Sequence, residues 1–174
     1  MREQLVAWAG DCIVRGEVEL GDGRLSDRVN ELEVVTFFDA TLRALDDGRE
    51  LAMDELEVER RELHVIEVQG HRGDPGRRLR TIEERVVVEL GPFVVTGNLH
   101  RPPNTQPLAA LSRFARFVPM TDAVVAMKGV MDNGLHQDVV LVNRERISKT
   151  KPLAVGSMFL TDTAPPAVET NAPA

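Results

Sequence analysis

The sequence predicts a mainly β chain: two tandem small β-barrel-like repeats, each of about five strands and one helical turn, related by a pseudo-twofold duplication. Three observations predict it. The first is internal similarity. Laying residues 5–66 over 86–150 puts Gly10 on Gly91, Ile13 and Val14 on Val94 and Val95, Gly16 on Gly97, and Val18 on Leu99, all at a shift of 81. Leu25 then falls on Leu108, Asp39 and Ala40 on Asp122 and Ala123, and Leu42 on Val125 at a shift of 83. Asp54 follows on Asp138, Val58 on Val142, Arg60 on Arg144 and Leu63 on Ile147 at 84. Two small insertions account for all three offsets. The second observation is that short apolar runs flank turn dipeptides, Gly10-Asp11 and Gly91-Pro92. The third is a glycine at the same place in each copy, Gly16 and Gly97, where a strand can bend or bulge as a small sheet curls.

The elements follow in order. Leu5 to Trp8 and Cys12 to Leu20 form a hairpin around Gly10-Asp11, and the second of these runs alternates toward its end as a half-buried strand does. Its counterparts are Val86 to Leu90 and Phe93 to His100. Apolar spacing of three and four predicts a helical turn over residues 25–30 and another over 108–114, with Pro107 placed where a first helical turn tolerates a missing amide. Strands are expected at Glu33 to Phe38 and Thr41 to Leu45, then at Arg116 to Met120 and Val124 to Met127. The turns Asp46-Asp47-Gly48 and Asp132-Asn133-Gly134 lead into one last strand per copy, Glu55 to Val68 and Asp138 to Ile147.

These elements divide the chain into a first repeat over residues 1–68, a Gly/Pro/Arg-rich linker over 69–82, a second repeat over 83–152 and a C-terminal extension over 153–174. The extension lacks apolar periodicity from about residue 161 and is expected to be disordered. With 174 residues the chain can bury a genuine core. No run of eighteen apolar residues and no signal-peptide pattern occur, so a cytoplasmic chain that binds no membrane is expected. The single cysteine, Cys12, excludes an internal disulfide and a cysteine-cluster metal site.

Charge divides the chain unevenly. The net charge is -7, but residues 1–68 carry a balance of -10 and residues 69–174 one of +3. The acidic half repels nucleic acid, and 4% aromatic content with no tyrosine leaves few rings for base stacking.

The motifs that carry chemistry are sparse. The four histidines, His64, His71, His100 and His136, show no metal-ligand spacing, and Gly21 to Ser26 lacks the features of a phosphate-binding loop. Neither a metal nor a cofactor is expected. Asp39 and Asp122 could approach across a pseudo-twofold axis as a carboxylate dyad, but the residues after them do not follow the Asp-Thr/Ser-Gly pattern of such dyads. The expected role of each is to accept backbone amides where one strand turns into the next.

The stretch Phe117-Val118-Pro119-Met120-Thr121-Asp122-Ala123, continuing through Asp138 to Ile147, resembles an uncharacterised family of small bacterial β-proteins; Phe37 to Ala40 carries it faintly in the first copy. That resemblance implies no known activity. The pattern also resembles Sm-like and SH3-like small barrels, and Ile13-Val14-Arg15-Gly16 is similar to the Ile-Arg-Gly phrase of the Sm family, though placed near the start of the chain. The resemblance implies bent strands closing a small sheet and copies associating edge to edge; the RNA-contacting residues of that family have no match.

The functional expectation is a non-enzymatic protein-protein interaction or assembly module, binding a protein partner or itself, with opposite charges favouring head-to-tail contact. The alternatives are a small-ligand or regulatory domain with a pocket lined by Phe93, Phe114, Phe117 and Met120, and a weak nucleic-acid-binding module using the linker with Arg101, Arg113 and Arg116. The expected partner-binding residues are Arg77, Arg78 and Arg80 in the linker, Arg101, Asn104 and Gln106 in a loop longer than its first-copy counterpart, and Arg113 and Arg116 beyond it.

Overall fold

Leu5 to Ala9 is a continuous apolar run rather than an alternating one, and the architecture explains why: this strand is buried on both faces. The computed structural model describes residues 2–21, 24–68, 80–113, 115–130 and 134–153. In chain order these form β1 (Arg2–Ala9), β2 (Cys12–Glu19), α1 (Leu25–Glu31), β3 (Val34–Ala44), β4 (Glu50–Glu59) and β5 (Leu63–Val68). Then come β6 (Ile82–Leu90), β7 (Phe93–Arg101), α2 (Ala109–Arg113), β8 (Phe117–Met127), β9 (Leu135–Asn143) and β10 (Ile147–Pro152). Single 3-10 turns, Arg60–Glu62 and Arg144–Arg146, separate β4 from β5 and β9 from β10.

All ten strands belong to one antiparallel sheet that does not close, in the order β10-β6-β7-β8-β9-β5-β1-β2-β3-β4. The mainly β class is as expected. β5 and β9 pair through Val65 with Val142, Ile66 with Leu141 and Glu67 with Val140, running the two halves into one sheet.

Two details of the strand expectations are corrected. Residues 33–45 and 116–127 each form one eleven-residue strand rather than two, since Asp39 and Asp122 mark bulges, not turns. Opposite Gly16, β3 places both Asp39 and Ala40; opposite Gly97, β8 places both Asp122 and Ala123. The extra aspartate adopts a left-handed conformation in both, with φ of 46° and 47°, a region that aspartate tolerates better than most side chains. Conversely, 55–68 and 138–147 are not single strands, because the 3-10 turns interrupt them. The first helical turn forms as α1; the second forms as Ala109–Arg113, and Phe114 lies outside the described residues, as do Asp132 and Asn133 of the turn before β9.

Two hydrophobic clusters fill the interior, and each draws on both halves of the chain. Leu5 and Ala7 of β1 join Val14, Val18, Val29, Val35, Phe37, Leu63 and Ile66, together with Phe117 and Leu141 from the second half. The alternate residues of β1, Val6 and Trp8, turn to the other face and join Ile13 and Val65 among Val86, Leu90, Phe93, Val95, Met120, Val140 and Val142. Helix α1 fits this arrangement through the i, i+4 pair Leu25 and Val29, both buried. Among the described residues, no helix is long and apolar enough to cross a membrane.

Candidate interaction surfaces

The open sheet ends on two strands of opposite charge. Strand β4 pairs with β3 along one side, from Val34 opposite Glu59 to Arg43 opposite Glu50. Its sequence carries five carboxylates, Glu50, Asp54, Glu55, Glu57 and Glu59, all exposed, and no basic residue. Leu56 and Val58 on the same strand are half-buried against the first-half cluster. At the opposite end, β10 pairs with β6 from Ile147 opposite Leu90 to Pro152 opposite Val86. It carries Lys149 and Lys151, both exposed, and no carboxylate. Lys149 Nζ lies 3.9 Å from Glu89 on β6, a loose and solvated contact.

The joint in the middle of the sheet shows how two strands of these kinds fit when buried. Val140, Val142, Val65 and Ile66 are all essentially inaccessible there. Asn143, also fully buried, closes the end of the joint: its Nδ2 donates to the Leu63 carbonyl at 2.8 Å and its Oδ1 accepts from the Glu145 amide at 3.1 Å. The 3-10 turns meet beside it, where Arg146 Nε donates to the Arg61 carbonyl at 2.7 Å and its Nη2 lies 3.4 Å from Glu62. Helix α1 ties in across the same boundary, since the Asn30 side chain accepts from the Phe117 amide at 2.9 Å and donates to its carbonyl at 3.2 Å.

A polar cleft of about 450 Å³ opens next to these turns, lined by Glu33, Glu59, Arg61, Arg116, Glu145 and Arg146. Its arginines already have anionic neighbours: Arg61 lies 2.5 Å from Glu59, and Arg116 lies 2.9 Å from Glu145. The cleft is therefore closer to a neutral network than to an anion site.

The outer face of the second half gathers a polar group that the sequence reading did not assemble. Asp122 accepts from Arg85 Nη1 at 2.5 Å and lies 2.8 Å from His136 Nε2, and these two partners hold its carboxyl below the usual carboxylate range, the histidine contributing most. Nearby, His100 Nε2 stands 2.7 Å from Thr121 Oγ1 and its Nδ1 3.3 Å from Thr81 Oγ1. These contacts link β6, β7, β8 and β9, so cross-strand register brings them together where linear spacing gave no sign. No Asp39–Asp122 dyad forms among the described residues: the Asp122 carboxylate is held instead by Arg85 and His136. Among the described residues its carboxylate takes no backbone amide; its partners are the two side chains.

The arginines singled out from sequence do not converge on one surface. Arg101 is held in place by its own loop, with Nη1 donating to the Thr105 carbonyl at 2.6 Å and Nε 3.5 Å from Glu84. Asn104 is exposed with a φ of 63°, and Gln106 uses its carbonyl to accept from the Ala109 amide at 3.1 Å, so this loop serves as the entry to α2. Arg113 ends α2, Arg116 faces the cleft, Arg80 is exposed ahead of β6, and Arg77 and Arg78 lie outside the described residues. Of the residues expected to line a ligand pocket, Phe93 and Met120 are buried in one core cluster and Phe117 in the other. The strand-edge charges were visible in the sequence, but joining 55–68 into one strand concealed that β4 and β5 are different strands with different neighbours. Among the described residues no three potential metal-ligating side chains cluster.

Compared with known protein families, curated proteins and solved structures, the chain finds no match.

Proposed function

We propose that this chain is a non-enzymatic assembly module, a duplicated five-stranded, barrel-like unit that binds further copies of itself head to tail. The duplication is supported by the repeated strand order, in which β5-β1-β2-β3-β4 and β10-β6-β7-β8-β9 use corresponding segments in the same sequence. It is supported too by the matching bulges at Gly16 and Gly97 and the matching 3-10 turns. The observation that carries the assembly reading is the charge of the two open ends, five carboxylates on β4 against two lysines on β10.

An edge strand presents unpaired backbone groups that pair readily with another strand. Lysines and a proline on an edge ordinarily deter such pairing, and β10 has both. Here the lysines also discriminate: β4 against β4 would oppose carboxylates to carboxylates, β10 against β10 would oppose lysines, and only unlike ends neutralise each other. Unlike ends cannot satisfy one another in a symmetric pair, so the contact is heterologous and leads to rings or filaments.

Light scattering on the full chain tests this reading. The expected result is a mass of several chains at low ionic strength that falls toward one chain near 1 M salt, where the screening length shrinks to about 3 Å. A mass of one chain at every concentration and salt level would overturn it.

A further inference from the structure

Resting on that reading of self-association, we infer that β10 of one copy pairs antiparallel with β4 of the next in the register of the β9–β5 joint, placing Thr150 opposite Glu57. The structure supplies the template. Strand β10 stands to β6 as β5 stands to β1, and β4 stands to β3 as β9 stands to β8. Strands β5 and β10 are each six residues long and follow a three-residue 3-10 turn, at a constant offset of 84. The middle of the sheet is thus already a contact between the two kinds of strand that its ends leave open.

Transferring the joint by that offset converts its three pairs directly. Val65 opposite Val142 becomes Lys149 opposite Val58, Ile66 opposite Leu141 becomes Thr150 opposite Glu57, and Glu67 opposite Val140 becomes Lys151 opposite Leu56. Half-buried Leu56 and Val58 occupy the places of fully buried Val140 and Val142, and the second strand would complete their cover. Lys149 and Lys151 lie across them with apolar stems, and Asp54, two residues from Leu56 on the same face of β4, is in diagonal reach of the Lys151 ammonium group. The turns agree as well. Positions 62 and 146 correspond, so the Glu62–Arg146 contact of the joint returns at each junction with the roles exchanged, Glu62 of one copy beside Arg146 of the next.

One feature makes the new junction weaker than the internal joint. Asn143, which donates to the Leu63 carbonyl, corresponds to Glu59, whose carboxylate cannot donate to the Ile147 carbonyl. Together with lysines in place of Val65 and Glu67, this makes the junction reversible and salt-sensitive where the internal one is permanent.

Cysteine cross-linking reads the register. In a full-length chain with Cys12→Ala, the pair Glu57→Cys and Thr150→Cys is expected to give a ladder of covalent multimers under mild oxidation, reversed by reductant. The slipped pair Glu57→Cys and Lys149→Cys should give at least about tenfold less, because a one-residue shift turns the side chain to the other face of the sheet. A second variant needs no cysteine: Lys149→Glu with Lys151→Glu should reduce the low-salt mass to a single chain while circular dichroism stays unchanged. If the wild-type chain is multimeric but the 57/150 ladder is missing, or the slipped pair cross-links equally, or the charge-reversed chain keeps its mass, this junction is wrong and self-association uses another surface. A wild-type mass of one chain overturns both.

Discussion

Asp39 and Asp122 show how much a single backbone conformation decides. Each is the extra residue of a bulge, each sits near φ +46°, and each lets an eleven-residue strand bend without ending. For an L-residue that conformation costs about 1–2 kcal/mol, more for a β-branched side chain. Asp39→Val is accordingly expected to destabilise the chain by about 2 kcal/mol, whereas Asp39→Gly should change it by less than about 1 kcal/mol; urea unfolding midpoints distinguish the two. The bulge also explains the glycine across from it. A Cβ on Gly16 would lie 2.8 Å from the Phe38 carbonyl oxygen, closer than packed atoms approach. The glycine and the Asp-Ala pair were both plain in the sequence as matched positions. Their shared meaning was not, because a turn and a bulge draw on the same residue types and only pairing on both sides separates them.

At the scale of elements, the short helix α1 holds by more than its seven residues allow alone. Its Asn30 makes three side-chain bonds, to the Ser26 carbonyl at 2.7 Å and to both backbone groups of Phe117. Arg60 reinforces that end by donating to the Asn30 carbonyl and pairing with Glu33 at 2.9 Å. Asn30→Ala leaves the Phe117 amide without this acceptor, and a loss of about 1–3 kcal/mol is expected, with amide exchange at Phe117 accelerated. Hydrogen-exchange mass spectrometry locates the effect; unchanged protection at the start of β8 would refute the tether. The helix itself was legible from Leu25 and Val29. Its tether was not, since residues 30 and 117 are 87 apart and nothing local marks them as neighbours. The same limit hid the β4–β5 boundary: Glu55 to Val68 is strand-like throughout, and the 3-10 turn at Arg60–Glu62 contains no Gly or Pro to announce it.

At the scale of the whole molecule, His64 marks the junction of the two halves. It is buried on β5, its ring stacks edge-on to Phe93 of β7 with centroids 6.0 Å apart, and a Cβ on Gly91 would lie 2.6 Å from its Nε2. Burial is the main reason its pKa falls below the usual 6.5, against the opposing pull of the Glu62 carbonyl at its Nδ1. The folded chain therefore holds the neutral ring, while the unfolded chain takes up a proton near pH 6.5. Stability from this site is complete above pH 6.5 and declines as pH falls below it. Urea midpoints should drop between pH 7 and pH 5, and His64→Gln should flatten that slope; an unaltered slope would remove His64 as its source. The sequence placed β1, β2, β6 and β7 closely, because alternation and turn residues are local signals, but it split β3 and β8, joined β4 to β5 and stopped short of β10. It left open whether the halves share one sheet, because pairing of β5 with β9 rests on apolar surfaces that a closed barrel would bury equally well.

The interleaved clusters carry a consequence for how this chain can come apart. Trp8 and Val65 are encoded in the first half yet enclosed by the second, while Phe117 and Leu141 make the reverse exchange. Neither half can melt without uncovering its sibling's interior, so heat should produce a single transition rather than two steps. A lesion at either end of the gene is then felt throughout the product.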